Sequence, residues 1–487
     1  MAEKSLFDKA KIFNSLLWKF GERITAQIIS LFVSIILARL LTPSDYGAVA
    51  LVMIFISIAN VFVSSGLGSA LVQKKDADNI DFSSVFYINI GLSVLLYFVI
   101  YLLAPSISQF YMMPVLKNVL RVLAIRIIVA AINSVQHAYV SKYMLFKRFF
   151  WSTLFGTVLS GVVGVLLAYN GYGVWALVAQ YLTNTCTDTI VLWFTVKWRP
   201  NLVCSWERAK NLISYGWKLL LSGLLDTGYK ELRSLLIGKI YTEEDLAFYN
   251  QGDKFPNLIV VNVNASISGV LFPALSHEQS NREKVKNMTR RAIQVSSYIM
   301  WPLMIGLGVC AEPFVRIILT EKWLPCVPYL QVFCFSYGLW PIHTANLQAI
   351  NALGRSDLFL KLEIVKKVVG ILILFISLNH GPIFIAIGLA VSSFISTFIN
   401  AWPNIKLLNY TYKEQMSDLL NPMILGGIMG ACIYPIILFH FSDIITIVLQ
   451  VIFGMLVYIF LSYITKQISF IYLLNSIKPF FLKKCQK

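Results

Sequence analysis

The sequence predicts an all-α membrane protein of about fourteen transmembrane helices: two parallel six-helix lobes related by a pseudo-twofold axis, followed by two further helices. Three observations predict this. The 487 residues are 57% hydrophobic and 13% charged, and the mean hydropathy is +0.70, whereas soluble domains average about 25% charged residues. Apolar stretches long enough to cross a bilayer, about 20 residues each, recur along the whole chain. The basic residues fall on alternate loops, as they do when Lys and Arg are held on the cytoplasmic side.

The expected spans cover 15–40, 46–69, 82–109, 117–138, 151–169, 173–196, 217–240, 255–276, 289–313, 327–352, 359–378, 383–405, 419–440 and 443–465. Trp18, Trp151, Trp175, Trp198, Trp217, Trp323 and Trp402 mark span ends, where an aromatic belt would sit. With the N-terminus inside, the inner segments hold roughly 26 basic residues and the outer loops about five, so both termini are expected in the cytoplasm. The same asymmetry explains the net charge of +17 without nucleic acid. The N-terminus, MAEKSLFDKAKIFNSLLWKF, has no cleavable signal pattern. The seven cysteines show no CxxC pairing and no histidine at zinc spacing, so neither a disulfide framework nor a metal site is expected. The five histidines form no HExxH and no GxSxG occurs, which gives no support to an enzyme. No loop is long enough for an outer catalytic domain; the longest, near 197–216, contains SWERAKNLISYG, an expected interfacial helix.

An internal repeat organises the spans. ARLLTPSDYGAVA (38–50) matches GKIYTEEDLAFYN (238–250), aligning Arg39 with Lys239, Thr42 with Thr242 and Asp45 with Asp245. In each, Thr caps the next helix and the acid three residues on faces its positive end. Gln136 and Gln348, then Gly171 and Gly381, continue the match at an offset near 210. Six spans per repeat preserve direction across the membrane, so the halves are parallel repeats with substrate between them. The expected division is an N-lobe at 1–200, a linker helix at 201–216, a C-lobe at 217–408, and two extra helices with a basic tail at 409–487.

Charge within the spans carries the functional reading. Asp226, Lys230 and Arg233 are spaced i, i+4, i+7 in an apolar stretch and share one helix face. A charge at the centre of a membrane helix costs about 3 kcal/mol or more, and is tolerated facing water or another charge. Bases in a wet intramembrane cavity point to transport of an anion.

LARLLTPSDYGAVALV (37–52), the span count, the two six-span lobes and the basic centre resemble the polysaccharide exporters of the Wzx type. These belong to the superfamily that also holds multidrug extruders and the lipid II flippase. The sequence is similar in particular to the colanic-acid-like and teichuronic-acid-like subgroup. The resemblance implies flipping of an undecaprenyl-diphosphate-linked oligosaccharide from the cytoplasmic to the outer leaflet of a bacterial inner membrane. It implies alternating access by V-shaped lobes, no cofactor, and work alongside a polysaccharide polymerase and assembly proteins.

For such a substrate the expected cationic lumen is Lys19, Arg23, Arg121, Arg126, Lys230 and Arg233, because guanidinium and ammonium groups bind phosphate. Three of these have a plainer alternative: Lys19 can snorkel to the surface, and Lys230 and Arg233 can pair with Asp226. Glu22, Asp188, Asp226 and Glu231 are candidates for coupling to H+ or Na+, or counter-ions to neighbouring bases. Asn133, Gln136, Asn262, Asn264, Asn346 and Gln348 are a candidate polar lining for sugar hydroxyls, with interhelical hydrogen bonding as the alternative. A multidrug extruder, expected to present acids rather than bases, a lipid II flippase, and a membrane polymerase or ligase are the competing readings.

Overall fold

The structure, a computed structural model, describes residues 9–64 and 66–482. The described residues form helices joined by short turns, with no strand among them. The chain divides between Ala247 and Phe248 into two compact units.

Unit 1 contains α1 (Lys9–Leu40), α2 (Pro43–Ser64), α3 (Leu67–Gln73), α4 (Asn79–Phe110), α5 (Pro114–Leu123), α6 (Ile125–Lys142), α7 (Phe146–Tyr169), α8 (Val174–Thr195) and α9 (Trp206–Ile240). Helix α2 starts at the Thr42 box: Thr42 N and Oγ1 donate to Asp45 Oδ2 at 3.0 and 2.7 Å, and Asp45 N donates to Thr42 Oγ1 at 3.2 Å. A second box, Asp78–Asp81, starts α4, and Lys74 holds Asp81 at 2.7 Å. The core gathers Phe82, Phe86, Val135, Leu192, Trp198 and Leu212.

Helix α9 is continuous over 35 residues, so the expected linker helix and the seventh span are one element. It packs on α2, α3 and α4. A side chain at Gly216 would lie 2.9 Å from the backbone of Gly66, so glycine permits this close crossing. Unit 2 therefore starts one helix later than the sequence repeat.

The chain continues through α10 (Glu243–His277) into unit 2, with α11 (Arg282–Val309), α12 (Ala311–Ile318), α13 (Val327–Gly338), α14 (Trp340–Ala352), α15 (Ser356–Ser377), α16 (Pro382–Leu408), α17 (Tyr412–Ile433), α18 (Asp443–Ile464) and α19 (Ile468–Leu482). Helix α10 opens on the repeated box, with Thr242 N and Oγ1 donating to Asp245 Oδ2 at 3.2 and 2.8 Å. The fourth span of each half is broken near its middle, at Ala124 between α5 and α6 and at Leu339 between α13 and α14. A left-handed glycine precedes the sixth helix of each half: Gly173 (φ +52°) before α8 and Gly381 (φ +114°) before α16. The appended pair α17–α18 packs on α11 through Tyr298, Leu425, Ile433 and Tyr458, while α18 leaves Ile444, Ile452, Leu456 and Phe460 exposed, as a lipid-facing helix does.

Among the described residues nine helices are long and apolar enough to cross a membrane, and the chain is a multi-pass membrane protein. The other expected spans fall on helices that are broken (α5–α6, α13–α14) or carry several charged or amide side chains (α8, α9, α15).

Candidate functional site

A cavity of about 740 Å³ opens within unit 1 between α2, α3, α6 and α8. Helix α6 gives it its character. Arg126, Ala130, Asn133, Ser134, His137 and Ser141 line the wall at i, i+4, i+7, i+8, i+11 and i+15, one stripe of a 3.6-residue helix. Asn60 and Ser64 of α2, Ser69 and Gln73 of α3, and Asn184, Thr185 and Asp188 of α8 complete the polar surface.

Arg126 is oriented by neutral groups. Its Nε donates to Thr185 Oγ1 at 2.8 Å, its guanidinium lies 5.5 Å from the Tyr181 ring centre, and Nη1 meets the Met53 sulfur at 3.7 Å. No carboxylate is ion-paired with it among the described residues. A cation positioned without a counter-ion is prepared for an anionic ligand.

Asp188 lies along the same wall. Its Oδ2 accepts from Asn133 Nδ2 at 2.5 Å and lies 3.1 Å from His137 Nε2. The imidazole stacks on Phe149 of α7, with ring centres 4.8 Å apart. Glu22 of α1 accepts from Thr153 Oγ1 at 3.1 Å and lies within electrostatic range of both His137 and Asp188. Four helices thus bring together two acids and a histidine.

The structure sorts the sequence candidates. Arg126, Asn133 and Asp188 line the cavity, with Glu22 beside them. Lys19 and Arg23 are exposed on α1, Lys19 lying 5.2 Å from the Phe146 ring centre. Arg121 stacks on Tyr101 at 4.0 Å and donates to its carbonyl. On α9, Arg233 is buried against Tyr229, whereas Lys230 and Asp226 are exposed and Glu231 is half-buried. None of these lines the cavity.

Several amides prove to be packing elements instead of lining. Gln136 is fully buried and bonds the Trp198 carbonyl at 3.3 Å, because it points away from the stripe that carries its neighbour His137. Asn346, fully buried, donates to Gln415 Oε1 at 2.9 Å and accepts from Asn404 at 2.6 Å. Asn264 accepts from Thr344, and Asn262 donates to its own helix at Leu258 O. Gln348 is half-buried on α14. Sequence reasoning missed His137, Asn60, Asn184 and Thr185; the helical spacing from Arg126 through Asn133 is the signal that finds His137.

A family profile described as polysaccharide biosynthesis protein matches residues 36–328. The chain is 28% identical over 402 residues to the teichuronic acid biosynthesis protein TuaB of Bacillus subtilis (strain 168), covering 79% of this chain and 80% of the relative. It is 21% identical over 395 residues to the lipopolysaccharide biosynthesis protein WzxC of Escherichia coli (strain K12), covering 80% of each. Among solved structures, the lipid II flippase MurJ in an inward closed conformation superposes with a TM-score of 0.73 at 15% identity, over 92% of this chain and 98% of that one; this likeness concerns the fold alone.

Proposed function

Because the chain belongs to the polysaccharide biosynthesis protein family, we propose that it is a flippase that moves undecaprenyl-diphosphate-linked oligosaccharide repeat units from the cytoplasmic to the outer leaflet of the bacterial plasma membrane. The units feed surface polysaccharide assembly. The observation that carries this reading is Arg126, aimed by Thr185 and Tyr181 at a polar cavity and free of an acidic partner among the described residues.

Arg126 takes a diphosphate oxygen through its forked donors. The amides and hydroxyls of Asn60, Asn184, Ser69 and Ser134 meet sugar hydroxyls, so that neither block enters hydrocarbon. The lobes alternate in opening to the two sides, both termini stay in the cytoplasm, and no bond is made or broken. An inside-negative potential favours outward movement of the anionic head by about 2.3 kcal/mol per charge per 100 mV. Arg23, Lys19, Arg121, Lys230 and Arg233 extend the cationic path beyond the cavity. A proton or sodium ion held at Glu22, Asp188, Asp226 or Glu231 changes the charge along that path by one.

Asp188 favours a second reading, an extruder of cationic drugs, since an acid on the wall can pair with a cation. Its Oδ2 is already engaged by Asn133 and His137, which leaves Arg126 as the charge open to a ligand.

The test is genetic. Deletion of the protein is expected to accumulate lipid-linked repeat units on the inner leaflet, and Arg126→Glu to fail to relieve this at normal protein abundance. The triple variant Arg23→Glu, Lys230→Glu, Arg233→Glu is expected to fail likewise. Full rescue by Arg126→Glu would overturn the cationic-cavity assignment.

A further inference from the structure

We infer that His137 and Asp188 form a proton-binding pair in the cavity wall, and that the proton they hold raises the cavity's affinity for an anionic head group. The inference rests on the reading that the Arg126 cavity receives a diphosphate.

The geometry requires a proton. His137 Nε2 and Asp188 Oδ2 lie 3.1 Å apart, and Asn133 Nδ2 is 3.1 Å from the first and 2.5 Å from the second. Without hydrogen on Nε2 or Oδ2, two lone pairs would face each other at hydrogen-bond distance. One proton therefore bridges the pair, which then carries a charge of −1. A second proton, on the remaining imidazole nitrogen, brings it to zero. Nearly half of the His137 side-chain surface is exposed, and the residue lines the cavity, so water can deliver that proton. The carboxylate is four-fifths covered, and Phe149 fixes the ring plane, so the pair stays assembled as it titrates.

The groups facing the pair set the direction. Helix α1 presents Glu22, with Lys19 one turn before it; α7 presents Ser152, Thr153 and Phe149, all uncharged; α6 itself contributes Asn133 and, three turns away, Arg126. Glu22 adds a second carboxyl group beside the imidazole. Proton uptake removes one negative charge from a wall whose cation is Arg126, so anion and proton bind cooperatively, and by linkage each raises the affinity for the other to the same degree.

The experiment uses the full-length protein in nanodiscs, with farnesyl diphosphate as the probe, titrated calorimetrically from pH 5.5 to 8.5. The probe's own ionisation is common to every variant and cancels in ratios. The wild-type to His137→Gln affinity ratio is expected to fall severalfold, and at most tenfold per pH unit, as pH rises. Asp188→Asn is expected to bind severalfold more tightly than wild type at pH 8.5, because the wall then carries one negative charge fewer while the imidazole remains. A wild-type to His137→Gln ratio constant across the range, with the variant monodisperse, would overturn the inference. Arg126→Gln separates the two claims: weak binding at all pH beside flat ratios removes the proton site alone. Wild-type-like binding by Arg126→Gln, or no binding by wild type, removes the anion cavity and the inference with it.

Discussion

Helix α6 in unit 1 and α14 in unit 2 occupy the same place in the repeat, each just after the break in the fourth span, and each carries a histidine. His137 meets the carboxylate of Asp188 on the wall of an open cavity. His343 instead lies between Asn400 at 3.0 Å and Ser393 at 3.4 Å, both on α16. The surroundings follow suit. In unit 2, Asn346 is tied to Gln415 and Asn404, and Asp253 accepts from Tyr337 and from Asn257. A common helical plan has been filled with charge around a space in one half and with mutually bonded side chains in the other, where even the buried Asp418 is closed by Arg290 at 2.7 Å. Polar residues inside a membrane protein therefore divide into two kinds: those that close on each other fix helix packing, and those left facing a space are available to a ligand.

Substitutions at paired positions sharpen this contrast. The largest effect is expected at Gly47. A methyl there would lie 1.9 Å from the carbonyl oxygen of Glu243, whose carboxylate also accepts from Ser44 at 3.1 Å. Gly47→Ala is expected to cost about 1–3 kcal/mol or more of stability, read as a lower melting temperature in detergent. The repeat-related residue is Ala247, which is buried and already carries the methyl; Ala247→Gly is expected to cost no more than about 1 kcal/mol. Equal losses at the two sites would break the comparison.

Next come two polar residues of opposite kind. Arg126→Gln is expected to slow flipping about tenfold to a hundredfold, the loss of a charge-assisted contact worth about 1.5–3 kcal/mol, with little change in melting temperature. Asn346→Ala leaves Asn404 and Gln415 short of a buried partner and is expected to cost about 1–3 kcal/mol of stability, with transport per folded molecule unchanged. A reversal of these phenotypes in vesicle flipping and thermal unfolding would place the functional residues in the wrong half.

The smallest effects are expected at the helix starts. Asp45→Asn and Asp245→Asn keep a cap acceptor and remove the charge at the dipole, at about 0.3–1 kcal/mol each. The two should match, since the boxes superpose bond for bond.

Span number and the Thr-x-x-Asp boxes were readable from the sequence because both are local: hydropathy over 20 residues, and a hydrogen bond across three. The break at Ala124 was not, since no proline or glycine stands beside it; at Leu339 the signal was present, Gly338 closing α13 and Pro341 in the first turn of α14, but it sits inside an apolar run long enough to span. Depth alone also misleads about direction. Lys230 and Arg233 are equally deep in the apolar stretch of α9, yet Lys230 is exposed and Arg233 is packed on Tyr229. Gln136 and His137 are adjacent in sequence and point to a core carbonyl and to the cavity. Which face of a membrane helix looks inward depends on its neighbours, and that information lies in other parts of the chain. His137 was legible only through Arg126 and Asn133, whose spacing defines the stripe.

The most direct test of the central claim is labelling of single cysteines, in a background without the seven native ones, by a membrane-impermeant sulfonate-bearing thiol reagent. Ser134→Cys and Asn184→Cys on the unit 1 wall are expected to react, and to be protected by a polyprenyl diphosphate, while Thr397→Cys in the unit 2 core stays unreactive. Failure of Ser134→Cys and Asn184→Cys to label in folded protein, or labelling that the diphosphate leaves unchanged, would contradict a hydrated, anion-receiving cavity.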